Sequence, residues 1–350
     1  MKPGAGSPAH LARLCRRSIA AAGLNLEGAV VLTEAASGPY VVSPVLAALA
    51  GAKSVLAMSA DSPYASKEEA RRQTEELAAA CGVAGAVRVV FDREPALIGQ
   101  ADIVTNLGFV RPIDRGFVEA MKPGACVAYM CEAWEWRPGD LDLDACRRHA
   151  VAVMATDEAR CGVLAALGPL VAKMLFALDV EVWGSQVAVL SSDLFGPPVA
   201  GCLQAMGATA GLFARPEAAG FREFVAGADA LVLADYKAER PLIGQGAGMA
   251  AAELAALSPG LRVAQLTAGA DFEELVRAGL RVFPQRPVEP IRMGCTFAFL
   301  GAGPVAALHA AGLKVGEAMW RARGLGLSGS AFRDYVIAHS PAQDLDGLPG

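Results

Sequence analysis

The chain has 350 residues, 54% of them apolar and 19% charged, with a net charge of −5. That length allows two domains, and the abundance of Ala, Gly, Val and Leu suits an α/β protein with buried parallel strands. No basic run offers a footing to phosphates, which argues against nucleic acid as a partner. The eight cysteines are scattered, without C-x-x-C or Cys/His clusters, so neither a zinc site nor a disulfide framework is indicated.

The opening "MKPGAGSPAHLARLCRRSIAAAG" lacks an uninterrupted apolar core, and a cytoplasmic location is expected. An amphipathic helix is predicted over about 8–22, after which strand and helix signals alternate. "AVVLTEA" (29–35), "SVLAMSAD" (54–61), "VRVVFD" (87–92) and "ADIVTNLG" (101–108) read as strands. "SKEEARRQTEELAAACG" reads as a helix capped by Ser66. The stretch 161–178 is apolar but short for a membrane span, and Pro169 and Lys173 interrupt it; a buried helix between domains is expected.

The second half repeats the pattern. "ADALVLADY" (228–236) echoes "ADIVTNLG", and "ELAALSPGLRVAQL" (253–266) echoes "FVEAMKPGACVAYM". The expectation is two doubly wound, Rossmann-like α/β domains with parallel sheets and a cleft between them. The first takes 1–158 plus a returning helix at 304–323, the second takes 180–300, and the tail beyond Gly324 reads as loose. A homodimer is compatible with this layout.

"VAVLSSDLFGPPVAG" (187–201) has the form of a dinucleotide-binding strand, turn and helix. The G-x-G-x-x-G positions are Ser191, Asp193 and Gly196, so only the third glycine is kept. Asp193 reads either as a helix cap or as part of a rearranged cofactor loop. "LIGQGAGMAAAEL" (242–254) carries three glycines before a helix, but no P-loop Lys-Ser/Thr.

In the order of these segments the chain resembles the D-2-hydroxyacid dehydrogenase family. The carrying residues are "DLDLDACRRHAVAVMATDE" (140–158), the apolar helix, "VAVL", the "LSPG" turn, "PIRMGCT" (290–296) and the last long helix. The resemblance implies a two-domain fold and a nicotinamide cofactor held by Ser191, Ser192, Asp193, Leu194, Phe195, Gly196 and Thr267. Arg215, at a strand end without an acid, implies NADP if a cofactor binds; a chain that has lost the cofactor is equally compatible. Where the family places its catalytic Arg, Glu and His, this chain has Ala268, Pro284 and Ile291. None of the three transfers a proton or holds an anion.

Other residues are left to carry chemistry. Glu132 and Glu135 leave a strand's carboxyl end among Trp134, Trp136 and Arg137 in "MCEAWEWRPGD", where an indole can raise a carboxyl's pKa. Asn106 and Arg111, and the "ATDE" ending at Glu158, end neighbouring strands; Asp235, Tyr236 and Lys237 end one in the second half. Two readings remain open: an NAD(P)-dependent oxidoreductase with unusual catalytic residues acting on a small molecule, or a non-redox enzyme or binding protein on the same scaffold.

Overall fold

Short runs rich in Val, Ile, Leu and Ala, buried in the central strands and partly exposed at the sheet edges, make eleven of the twelve strands parallel members of two sheets. A computed structural model describes residues 6–237 and 241–345. Two compact units emerge, the first comprising residues up to 162 together with those from 301 onward, the second residues 163–300.

The first unit contains β1 (Val30–Glu34), β2 (Ser54–Met58), β3 (Val87–Val90), β4 (Ile103–Thr105), β5 (Cys126–Tyr129) and β6 (Ala152–Thr156). Their spatial order is β6-β5-β4-β1-β2-β3, so the winding reverses between β1 and β4. This is the strand order of dinucleotide-binding sheets, and ligands of such sheets gather at that reversal, outside the carboxyl ends of the strands. The second unit contains β7 (Gln186–Leu190), β8 (Thr209–Phe213), β9 (Ala230–Leu233), β10 (Arg262–Gln265) and β11 (Arg281–Phe283). Its order is β11-β10-β9-β7-β8, with the reversal between β7 and β9. Both units are doubly wound α/β layers, as the family resemblance implies.

Local chemistry explains the helix limits. The helix Pro8–Ala22 starts on Ser7, whose hydroxyl accepts the His10 amide at 3.3 Å, and stops at Gly23 in a left-handed conformation. Ser66 caps Lys67–Ala80 by accepting the Glu69 amide at 3.2 Å. The 23-residue helix Ala302–Gly324 lies on the first sheet through small residues. A Cβ on Gly316 would stand 2.5 Å from Ile103 Cγ2, and one on Gly312 would stand 2.6 Å from Met130 Sδ. Farther along, buried Glu317 accepts the Asn25 amide (2.9 Å), Lys314 Nζ (2.9 Å) and Arg321 Nε (2.7 Å), tying this helix to the segment ahead of β1.

Residues 325–345 are ordered, where the sequence reads as a loose tail; the last five residues lie outside the described ones. They form the helix Gly329–His339 and then β12 (Ala342–Gln343), which pairs antiparallel with β6. Two residues are too few for a periodic signal; β12 exists because β6 offers an open edge. Arg160 fastens the return by donating to the carbonyls of Ala342 and Ile337, each at 2.9 Å.

Candidate functional site

At the reversal in the first unit the last residue of β1 is Glu34, buried within a largely apolar strand. Its Oε2 accepts the Phe109 amide at 3.3 Å, from the loop that leaves β4. That loop can approach because residue 108 is glycine: a Cβ there would stand 3.1 Å from the same oxygen. Burial pushes the Glu34 carboxyl up to about 7, with the amides of Phe109 and Gly108 and the Arg111 guanidinium pulling only partly the other way. A carboxyl with that pKa both gives and takes a proton near neutral pH.

Arg111 stands on the same loop, half-buried, with Nη1 2.7 Å from Asp140 Oδ2. A guanidinium carries five donors in a fork, so this pairing leaves others for an anionic group. Asn106 ties the ends of β4 and β5 together: its Oδ1 accepts the Met130 amide at 2.6 Å and its Nδ2 lies 3.9 Å from Cys131 Sγ. The loops following β4 and β5 also form an open cavity of about 370 Å³, lined by Ile113, Trp136 and Leu141 with the acidic residues Asp114, Asp142 and Asp144; Glu34 and Arg111 do not line it. That is the size of a small-molecule site.

Glu132 and Glu135 do lie at this edge, but their carboxylates are built into the backbone. They form a reciprocal capping box on the single turn Ala133–Glu135. Glu135 Oε1 accepts the Glu132 amide at 3.1 Å; Glu132 accepts the Glu158 amide at 2.8 Å and Gln343 Nε2 at 2.5 Å. The expected perturbing indole is itself engaged, Trp136 Nε1 donating to the Leu141 carbonyl at 3.0 Å. Two carboxyls at the carboxyl edge of this sheet are raised by burial, Glu34 and Glu158. Burial raises Glu158 well above the usual range, and Glu135, Glu132 and Asp157 add to the effect by repulsion. Three strand spacings separate β1 from β6, and neither carboxyl is among the groups that shift the other.

Sequence reasoning passed over Glu34, although a signal was present: an ionisable residue closing the apolar run V-V-L-T-E at a strand's carboxyl end. Among the described residues no group of His, Cys, Asp and Glu is placed to hold a metal ion, and no helix is long and apolar enough to cross a membrane.

In the second unit the turn after β7 brings Ser191, Ser192, Asp193, Leu194 and Phe195 to the β7/β9 reversal, ahead of the helix Gly196–Ala205. Asp193 does not cap the first turn of that helix. Its Oδ1 accepts the Phe195 amide (2.8 Å) and the Ser191 hydroxyl (3.1 Å), and its Oδ2 accepts the amides of Tyr236 (2.6 Å) and Lys237 (3.3 Å). Asp235 Oδ2 accepts both the Ser192 amide (2.9 Å) and hydroxyl (2.5 Å). Tyr236 packs on Phe195 with ring centroids 5.0 Å apart, and its hydroxyl is 3.5 Å from the Ile291 carbonyl. Leu194 is exposed, while Thr267 is buried and donates to the Leu233 carbonyl at 3.3 Å. Arg215 lies exposed just beyond β8.

A nicotinamide dinucleotide needs free amides converging on its pyrophosphate at such a turn. Here the amides of Ser192, Phe195, Tyr236 and Lys237 are already paired with carboxylates, so these residues do not fit the group. The corresponding turn of the first unit offers one glycine, Gly38, whose amide donates to Gln73 Oε1 at 2.9 Å.

No protein-family model and no curated protein matches the sequence. Solved structures share the fold. The A chain of dipicolinate synthase from Bacillus halodurans matches with a TM-score of 0.52 at 12% identity, over 82% of this chain and 96% of that one. Its counterpart from Bacillus subtilis matches at 0.50 and 12%, over 87% and 98%. The pyruvate reductase of Chlamydomonas reinhardtii matches at 0.46 and 13%, over 90% and 98%. At such identities the likeness is one of fold.

Proposed function

We propose that the chain is an enzyme that transfers a proton on a small carboxylic acid at the carboxyl edge of the first unit's sheet, without redox chemistry. The observation that carries this reading is Glu34: a buried carboxyl, pushed up to about 7, at the reversal between β1 and β4. Strongly perturbed carboxyls at that place in a doubly wound sheet mark functional sites. Arg111 supplies the anchor for the substrate carboxylate through donors that Asp140 does not use. Glu34 then takes a proton from, or returns it to, the atom next to that carboxylate. The reciprocal Glu132–Glu135 capping box fixes the turn that follows β5 and so shapes this edge.

The experiment is a thermal-shift panel of amino, hydroxy and keto acids on the full chain, repeated with Arg111→Met and Glu34→Gln. A ligand of the native state raises its stability by mass action. The expected result is a stabilising acid whose effect disappears in Arg111→Met. A panel without effect, or one whose effect survives in both variants, defeats the reading.

An NAD(P)-dependent oxidoreductase is the second reading. It is supported by Arg215, exposed beyond β8, since sheets of this kind that take NADP meet the 2′-phosphate with a cation near that strand end. That reading requires the pyrophosphate to be held somewhere other than the turn after β7.

A further inference from the structure

We infer that Asp193 stands in for a cofactor phosphate in the second unit, so that the chain's own carboxylate closes this turn to dinucleotides. The turn keeps the geometry of an anion site while its anion is covalently attached. Amides from two separate strand ends, Phe195 after β7 and Tyr236 and Lys237 after β9, converge on one carboxylate, as they would on a bound phosphate. Two opposing segments donating to one side chain make Asp193 the clasp between β7 and β9.

Three further features agree. Pro197 and Pro198 occupy the first turn of the helix Gly196–Ala205, and neither has the N–H with which that turn would grip a pyrophosphate. Asp235 adds a second carboxylate at the same edge, almost fully buried, its Oδ1 without a hydrogen-bond partner among the described residues. A diphosphate arriving here would meet two negative groups and no vacant amide from the four they hold. Gly196, meanwhile, keeps a role that needs no ligand: a Cβ on it would stand 2.7 Å from both Ser191 Cβ and Leu212 Cδ1. The glycine that packs helix on strand has been retained, and the positions that bind phosphate have been converted to an internal contact.

Two experiments on the full chain test this. Wild-type protein titrated with NADH and NADPH, followed by nicotinamide fluorescence and calorimetry, should show no saturable binding up to about 1 mM. Asp193→Ala vacates the amides and should acquire a site for an inorganic anion. Phosphate at about ten times its Kd should raise the unfolding midpoint of that variant by about 3 °C, saturably. Sodium chloride at matched ionic strength should leave it unmoved, and phosphate should not do the same to the wild type. If Asp193→Ala does not fold, the wild-type titration decides alone. Saturable dinucleotide binding by the wild type, or a phosphate response no larger in the variant than in the wild type, overturns the inference.

Discussion

Replacing Glu34 by Gln isolates one buried proton. The wild-type carboxyl is raised from 4.5 to about 7, chiefly by burial. Between those two values the native chain holds a proton that the unfolded chain has shed, so stability falls as pH rises through the window and levels off above it. Each pH unit in that window is worth about 1.4 kcal/mol, so the carboxyl costs the native state about 3 kcal/mol at pH 8 relative to pH 4. Glutamine has nearly the same volume, keeps an oxygen for the Phe109 amide and does not titrate. Glu34→Gln should therefore match the wild type within about 1 kcal/mol near pH 4.5 and exceed it by about 3 kcal/mol at pH 8. His309 acts in the opposite sense: burial pushes it down to about 4, so its contribution is lost as pH falls from 6.5 through that value. It is present in both proteins and cancels in the difference. Urea unfolding followed by tryptophan emission, with Trp134, Trp136 and Trp320 reporting on the first unit, gives the two pH profiles. Parallel profiles from about pH 5 to pH 8 would show that Glu34 ionises freely and would refute the reasoning.

Other consequences are open to measurement. Glu317→Ala leaves Lys314 and the Asn25 amide without their buried acceptor and should cost about 3 kcal/mol in urea unfolding of the first unit; a loss under 1 kcal/mol would mean the strap is idle. Gly168→Ala in the second unit puts a methyl 2.2 Å from Cys202 Cβ and 2.8 Å from the Pro198 carbonyl, and should destabilise by about 1–3 kcal/mol because that helix contact must open. Ala150→Gly should instead stabilise by about 1 kcal/mol, since Ala150 has φ of 52° after the helix Leu143–Arg148; a loss on calorimetry would contradict that. No oxidation of NADH or NADPH should appear at 340 nm with glyoxylate, hydroxypyruvate or pyruvate, because Ala268, Pro284 and Ile291 supply no proton-transfer group; ordinary turnover would show that the segments have been misplaced.

Much of the architecture was legible in the sequence because it rests on local signals. Ser66 and Pro8 marked helix starts that the structure keeps, and "AVVLTEA" and "SVLAMSAD" contain β1 and β2, the second starting at the same Ser54 and running three residues past β2. The echo between "ADIVTNLG" and "ADALVLADY" has a structural cause: β4 and β9 occupy the same place, beside the first strand of each sheet at the reversal. What stayed hidden depends on distant partners. Glu132 and Glu135 read as reactive because indoles flank them in sequence, yet their fate is set by backbone amides and by Gln343, which arrives from the far end of the chain. Asp193 reads as a cap because a helix follows it, yet two of its amide donors come from the end of β9. Glu34 closes an apolar run, but its burial depends on the placement of β1 between β2 and β4, which come from distant parts of the chain.

The most direct measurement is the titration of Glu34 itself. With glutamate side-chain carboxyls labelled with ¹³C and Glu34→Gln used to assign the resonance, the carboxyl shift can be followed from about pH 3 to pH 9. A midpoint near 7 is expected, and addition of a stabilising acid from the panel should move it, because an anion bound on Arg111 offsets the positive charge that lowers that carboxyl. A midpoint near 4.5, unmoved by any such acid, would contradict the assignment of this edge as the site of proton transfer.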